Sequence, residues 1–489
     1  MSVVLGLMLT SMNAWAGSVD IYGFGAASVG RGQGGVAIAD GGMTVFRNPA
    51  LLQKLEWAEA SLGFSLNRGR FPQAPPVYWD TNQDGRIDGA DTPLTLAAEA
   101  PRSDGLSVAI ARNVGSKVGL ALNAFLPTDQ ILRLRTTEPA LPSWVMYGSR
   151  TQRFEIGIGL GAELYKGISL GFSTELVAKA QYRINGTLDI VVGGAESGDE
   201  DPEDLIEYVR VDVHEMTFDL VPRFVPIAGL HWDAGILLPA LDGFDLGVVW
   251  RGASGFPIIA DIDLQLNGEL AGLGDLEPMA LALVMPVELS IYDHYIPERW
   301  SFGAAYQYKD LPRVYVDFHH TRWSGMKVNV AHVTESAIRS QVFQVEEDLV
   351  DDANSYEAQF TDTLSVHTGI EVYLPVIETS GQAGLIQPVL RGGFGYIPSP
   401  LVNQSAGTSF MDADRMLFSG GVGVTHSDPF GWVPGPVSWD VFYTRHQLAT
   451  GSLSPEPSEN SIAGTPVDGK AIPVGGSLWS AGVQLGVSF

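Results

Sequence analysis

The stretch "DTNQDGRIDGAD", Asp80 to Asp91, spaces oxygen donors as a twelve-residue calcium loop does. Asp80, Asn82 and Asp84 fall at positions 1, 3 and 5. Gly85 stands at the sharp turn of position 6, and Arg86 offers its backbone carbonyl at 7. Asp88 sits at 9, Asp91 at 12, and Ile87 supplies an apolar anchor between them. A hard cation such as Ca2+ takes this donor set. The departure is Asp for Glu at position 12, a shorter ligand that loosens the site. Prolines 72, 75 and 76 argue against a helix in front of the loop. The competing reading is an acidic turn with chance spacing.

Two other stretches invite chemistry. Gly30, Gly32 and Gly35 make a GxGxxG match in "RGQGGVAIADGGMTVFRNPALLQK". That motif binds a dinucleotide only between a strand and a helix of a βαβ unit, and no such unit surrounds it. Glycines at this density instead permit unusual backbone angles and close packing. His319 and His320 lie in "DFHHTRWS". Neighbours on a strand point to opposite faces, so the two cannot chelate one ion. Asp317 and His319 share a face, which suits an interior hydrogen bond better than a hydrolase, since no serine nucleophile stands at a matching position. The chain has no Cys, so it carries no disulfide, thiolate metal site or thiol nucleophile.

These residues sit on a chain dominated by period two. In "FEIGIGLGAEL", Phe154, Ile156, Ile158, Leu160, Ala162 and Leu164 share one face, against Glu155, Gly157, Gly159, Gly161 and Glu163. "ISLGFSTELVAKAQY" and the final "LWSAGVQLGVSF" repeat the pattern. Such alternation marks strands with one apolar and one polar face. About fourteen segments follow it: 57–68, 105–112, 117–126, 152–165, 168–183, 207–232, 243–266, 279–309, 313–324, 364–374, 387–397, 414–425, 437–446 and 476–489. Most are long enough to cross a bilayer when tilted. Their polar faces are rich in Gly, Ser and charge, as a wet lumen requires. Arg153, Glu155, Glu163, Glu175, Lys179, Asp245, Glu371 and Asp440 would point inward and form a charge network. Trp57, Trp250, Trp300, Tyr396 and Trp439 lie near strand ends, where aromatic girdles sit. Short turns such as "RNVGSK", "YKG" and "KDLP" alternate with long, acidic loops. The pattern is that of an all-β transmembrane antiparallel barrel with short turns on the periplasmic side.

Composition agrees. The 489 residues include 57 Gly, only 17% are charged, and the formal net charge is -27, which argues against a nucleic-acid partner. Val3 to Leu9 is apolar and Ala14-Trp15-Ala16 fits a small-x-small cleavage site, so residues 1–16 read as a signal peptide, though no Lys or Arg precedes the apolar run. Residues 17–55 then read as an N-terminal plug and 56–489 as the barrel, with the 80–91 loop in the first long external connection.

Asp20 to Lys54, "DIYGFGAASVGRGQGGVAIADGGMTVFRNPALLQK", resembles the N-terminal hatch of long-chain fatty acid outer-membrane transporters of the FadL and TodX type. The matching pieces are Gly-Ala-Ala-Ser-Val-Gly, "AIAD" at Ala37 to Asp40 and "NPAL" at Asn48 to Leu51. "LHWD", "RWSFGAAYQYKDLPRVYVDFHHTRWS", "LRGGFGY", "DADRMLFSGGVGV" and a terminal Phe agree in order along the chain. The resemblance implies a fourteen-stranded barrel with its N-terminal segment folded inside as a hatch. It implies that hatch movement and a kink in an early strand open a sideways path for hydrophobic substrates, above all long-chain fatty acids. Asn48, Pro49 and Ala50 are the hatch residues that carry over. It implies a monomer in the outer membrane of a Gram-negative bacterium, among lipid and lipopolysaccharide. It further implies recognition by the barrel assembly machinery through the strand ending at Phe489, and no catalytic residues.

Three alternatives remain from the sequence. One is a general porin without a specific hydrophobic ligand. Another is an outer-membrane acyl hydrolase with a Ser-His pair. The last is a calcium-dependent surface protein. The calcium expectation is checked by titrating Ca2+ into detergent-solubilised protein in a calorimeter. A binding heat that Asp84→Ala abolishes is expected; no heat, or an unchanged one in Asp84→Ala, would sink it.

Overall fold

A computed structural model describes residues 18–56, 58–79, 89, 92–94, 100–115, 117–128, 141–147, 154–192, 206–270, 279–307, 309, 312–326, 332–336, 338–340, 344–345, 360–378, 385–401, 409–427, 435–453 and 471–489. The leader, Trp57, Arg153 and all six proposed calcium ligands lie outside the described residues.

The alternating segments fold into one antiparallel barrel of fourteen strands. One half of the wall is β1 (Glu59–Arg70), β2 (Gly105–Val114), β3 (Val118–Pro127), β4 (Glu155–Tyr165), β5 (Ile168–Val192), β6 (Ile206–Asp233) and β7 (Phe244–Arg251). The other half is β8 (Glu298–Gln307), β9 (Arg313–Arg322), β10 (Thr363–Tyr373), β11 (Leu385–Ile397), β12 (Arg415–Ser427), β13 (Pro436–Leu453) and β14 (Ile472–Ser488). Each pairs with the next. β14 returns to β1, with Glu59 opposite Ser488 and Arg70 opposite Ser477. Closure leaves no unpaired edge, and backbone in hydrocarbon must be satisfied internally.

The faces separate as the period-two pattern requires. On β4 Glu155 is buried while Ile158, Leu160 and Leu164 are exposed, and on β5 Ser173 and Glu175 are buried while Phe172 is exposed. A water-soluble protein rarely leaves so continuous a belt of Leu, Ile, Val and Phe uncovered; lipid chains cover it here. Short connections join β2–β3, β4–β5, β6–β7, β8–β9, β10–β11 and β12–β13 at one end of the barrel; long ones join the other strand pairs at the other end.

The strand map differs from the sequence reading in two respects. Segments 243–266 and 279–309 are not single strands. Gly252-Ala253 separates β7 from a strand Ser254–Leu270, and Pro297, which has no N–H to donate, separates a strand Met279–Ile296 from β8. These two outer strands form a hairpin beyond the long-loop rim. There the upper part of β5 pairs with it in parallel, Asp263 opposite Thr187 and Leu266 opposite Ile190. β5 also runs further than the alternation indicated, to 25 residues, whereas β6, Ile206–Asp233, agrees with the expected 207–232 to one residue at each end. The resemblance implies a kink in an early strand; the pairings of β3 with β2 and β4 have no register shift. The β1–β2 ladder is interrupted at the upper end of β2. After Ser65 opposite Gly105 the Asn67 N–H donates to the Asp104 carboxylate at 3.2 Å. The pairing resumes at Arg68 opposite Arg102, with the Ser103 N–H on the Asn67 carbonyl and the Gly69 N–H on the Pro101 carbonyl.

Leu160→Arg puts a cation at mid-height on the lipid face. It should cost about 2–4 kcal/mol of folding free energy in a bilayer. Urea titration of refolding into vesicles reads this; a cost near zero would mean this face is not in lipid.

Candidate functional site

The lumen is filled by the N-terminal segment. It contains two short helices, α1 (Ser18–Tyr22) and α2 (Ala26–Gly30), then the 3-10 turns Met43–Phe46 and Pro49–Lys54. Pro49 starts the last turn, where its missing N–H costs nothing. Asn48 caps it: its Oδ1 accepts from the Ala50 N–H at 3.1 Å. Its Nδ2 donates to the Val36 carbonyl at 2.7 Å and the Leu230 carbonyl at 3.2 Å, tying the turn to the hatch and to β6. Gly25 and Gly32 hold φ of 80° and 101°, which lets the segment fold back on itself in so little space. The GxGxxG glycines therefore build a plug turn. Gly32 lies against the backbone of Gly393 on β11, and Gly30 against Gly421 on β12.

The inward glycines of the wall have a matching purpose. A β-carbon at Gly161 would strike the Pro49 carbonyl, at Gly171 the Ala50 nitrogen, and at Gly229 the Asn48 side chain. On the opposite wall, one at Gly369 or Gly393 would strike the carbonyl group of Arg31. Hatch backbone and barrel backbone thus approach where side chains are absent.

Buried charge completes the docking. Arg31 pairs with Asp40 beside it and with Glu371 of β10 at 3.1 Å. Arg47 pairs with Asp40 at 2.9 Å, and Arg391 of β11 bridges Glu371 at 2.7 Å and Asp440 of β13 at 2.5 Å. Asp317 of β9 accepts from the N–H groups of Gly35 and Val36. At the short-turn end Lys54 reaches Asp233 at 3.4 Å and Asp245 at 2.6 Å, and His231 contacts Asp245 at 2.8 Å. At the long-loop end Asp20 joins Arg251 and Arg299, each at 2.8 Å, and Arg251 also meets Glu175. Burial opposes ionisation of Asp40, but the Arg31 and Arg47 guanidiniums outweigh it and hold the carboxyl below the ordinary range.

Above the hatch, toward the long loops, lies a cavity of about 160 Å³. Ile21, Met146, Trp323, Ile397 and Pro400 give it apolar walls; Ser301, His319, Thr363, Ser365 and Arg299 give it polar groups. His319 Nδ1 and Ser301 Oγ are 2.8 Å apart across β8 and β9, and exposed His320 takes the other face. Ser301 is the lumen partner that sequence reasoning missed, and its inward parity on β8 was the available signal. An apolar cluster closes the mouth, with Phe71 stacked on Trp144 at 4.2 Å and Tyr22 and Tyr147 beside them.

The expected inward charges divide. Glu155, Glu175, Glu371 and Asp440 are buried and Asp245 is in the Lys54 cluster. Glu163 instead accepts from the Gly167 N–H at the turn. Arg31, Asp40, Arg47 and Arg391 carry the central network and were not singled out from sequence. Of the calcium loop, the structure describes its bracket: Val77–Trp79 pairs with Thr92–Leu94, Trp79 opposite Thr92.

The crystal structure of a Pseudomonas aeruginosa FadL homologue matches this chain at 13% identity and a TM-score of 0.53, over 98% of this chain and 100% of that one. The likeness shows a shared fold. The Pseudomonas putida toluene transporter TodX matches at 12% identity and a TM-score of 0.47, over 96% of this chain and 99% of that one. The Ralstonia pickettii toluene transporter TbuX matches at 13% and 0.46, with the same coverage. No protein-family model matches the chain, and no curated protein matches it in sequence.

Asp40→Asn takes the carboxylate from Arg47 and leaves Arg31 with Glu371 alone, and should weaken hatch docking by about 3–5 kcal/mol. Asn48→Ala takes the acceptor from the Ala50 N–H and the side-chain donor from the Val36 and Leu230 carbonyls, and should cost about 1–3 kcal/mol. Because Asp40 has its folded pKa below the ordinary 3.8, its contribution is present above that value and is lost as pH falls through the folded pKa. Acid should therefore loosen the wild-type hatch and leave Asp40→Asn less affected. Planar-bilayer conductance reads all three; a closed Asp40→Asn channel would refute the docking role.

Proposed function

We propose that this chain is a hatch-gated channel of the FadL type in a Gram-negative outer membrane, and that it takes up hydrophobic small molecules, long-chain fatty acids above all. The observation that carries this reading is the cavity over the hatch, whose lining combines apolar side chains with hydroxyl, imidazole and guanidinium groups. Such a lining suits an amphiphile, with its chain among Ile21, Met146 and Ile397 and its carboxylate toward Arg299 and the Ser, Thr and His side chains. A purely apolar hydrocarbon would leave those polar groups unpaired, which costs affinity. The occupied lumen favours a gated channel over a general porin.

The seam between β1 and β2 is the sideways exit that this reading assigns. Above Ser65 and Gly105 one ladder bond is replaced by Asp104, which also pairs with Arg68 and with Arg102 at 2.9 Å. Release into lipid spares the chain a return to water, at ~0.8 kcal/mol per CH₂. In the same reading Asp80 to Asp91 binds calcium and stiffens the first long loop. Trp79 opposite Thr92 supports this by bringing the residues that bracket the loop into register. The barrel assembly machinery would recognise the last strand and Phe489.

Oleate should quench tryptophan fluorescence saturably, because Trp323 lines the cavity. Thr363→Trp, which fills that cavity, should abolish the saturable phase. Deleting Gly17 to Leu51 should convert a closed barrel into a conducting one. Saturable toluene binding without oleate binding would overturn the fatty-acid assignment, and unchanged conductance after deletion would overturn the gate.

A further inference from the structure

The β6–β7 connection is unlike the other short turns. It is a helical turn Ala234–Leu237 followed by the 3-10 turn Pro239–Leu241, bracketed by Asp233 and Asp242. Ala234 packs inward, yet Ile236, Leu238 and Leu241 are 56%, 48% and 37% exposed. The turn is well formed: Leu238 N–H donates to the Ala234 carbonyl at 2.9 Å and Leu241 N–H to the Leu238 carbonyl at 2.7 Å. These bonds reduce the number of donors stranded when the turn leaves bulk water, and lipid headgroups at an interface can take the rest. The exposure of three large aliphatic side chains is thus not forced by the backbone.

The neighbouring turn shares the feature. Asp233 N–H donates to the Gly167 carbonyl at 2.9 Å, joining the β6–β7 turn to the β4–β5 turn. Leu164 and Tyr165 of that second turn are 58% and 57% exposed, and the Lys166 ammonium lies 5.4 Å from the Tyr165 ring centre. Tyr with Lys is the pairing that anchors proteins at a bilayer surface, ring toward the chains and cation toward phosphate. On the other side, exposed Phe244 packs on Tyr306 at 4.4 Å and leads up β7 to lipid-facing Leu246. The apolar patch is therefore continuous with the lipid belt. It also lies beneath β7, which has eight residues and is the shortest strand of the wall; a tilted crossing strand usually needs about 9–11.

The geometry points to an in-plane membrane foot: Ala234 to Leu241 rests in the leaflet at the short-turn end and extends the lipid-facing band where β7 is short. Its occupant is phospholipid. The charges agree with an interfacial depth, since Asp233 is tied to Lys54 at 3.4 Å and Lys166 stands beside the patch.

The chain has no Cys, so single thiols can be introduced cleanly. Ile236→Cys and Leu238→Cys carry a nitroxide label in full-length protein, reconstituted into phosphatidylethanolamine–phosphatidylglycerol vesicles. Lys117→Cys, in the β2–β3 turn at the same end, is the aqueous reference. Collision with oxygen, which partitions into lipid, is compared with collision with a water-soluble nickel chelate. The oxygen-to-nickel ratio at both test positions should exceed that at Lys117→Cys several-fold. A ratio equal to the reference overturns the foot. So does low collision with both reagents, which would mean that a second copy or another protein covers the patch. Both test sites are exposed, and heat-dependent electrophoretic mobility verifies folding of each variant.

Discussion

Hydrocarbon offers no partner to a peptide N–H or C=O, so a sheet that lies in it must close on itself. Closure has a second consequence. A fourteen-stranded ring is too wide for its own side chains to fill, so its interior is either water or something placed there. The first half of the constraint fixes the outward face, Leu160, Phe172 and their kind. The second half creates the need for residues 18–55. Every other feature of the lumen follows from how that segment is held.

It is held by two kinds of contact with opposite costs. Backbone against inward glycine, as at Gly161, Gly171 and Gly229, is short-ranged and leaves little room for change of shape. Buried ion pairs, as at Arg31, Asp40, Glu371 and Arg391, add little net stability because desolvation offsets much of their attraction. Their geometry is nevertheless demanding, and a partner removed leaves a bare charge. The combination specifies one docked position without making it deep. A core of leucine would fix the hatch more firmly, and a gate built on it would open less readily.

The wall was legible because period two depends only on local residue order. Ile158, Leu160 and Glu155 declare their faces within one strand. Gly252 and Pro297 also stood in plain view, but where a long apolar run breaks depends on its neighbours, and so does the upward extension of β5. The hatch was legible through "NPAL" and its position, with the Asn48 cap as the physical content of that motif. The charge network was not. Arg31 lies 340 residues from Glu371, and no local rule pairs them. Ser301 and His319 needed the β8–β9 register, which parity alone leaves open.

The distribution of these contacts around the ring bears on how a gate would move. Toward β10, β11 and β13 the hatch is bound by ion pairs; toward β4 to β7 it is bound by Asn48, by close backbone and by the pairs Lys54–Asp233, Lys54–Asp245 and Asp20–Arg251. Toward β2 and β3 its contacts are chiefly apolar. Phe24, Met43 and Phe46 meet Ala109 and Phe125, and Val45 and Leu52 meet Ala111 and Ala121, with hydrogen bonds from Asn123 to the Gly42 carbonyl and from Asn113 to the Leu55 carbonyl, and with Gly119 against the Leu52 carbonyl. Apolar surfaces are non-directional, so they slide at small cost, whereas buried ion pairs must break before they move. The least costly rearrangement therefore separates the hatch from β2 and β3. β2 also carries the seam at Asp104, where one bond of the ladder to β1 is replaced by a carboxylate while the Ser103 and Gly69 N–H groups keep backbone partners. The most apolar face of the plug and this interrupted course of the wall are adjacent, so one displacement would reach both.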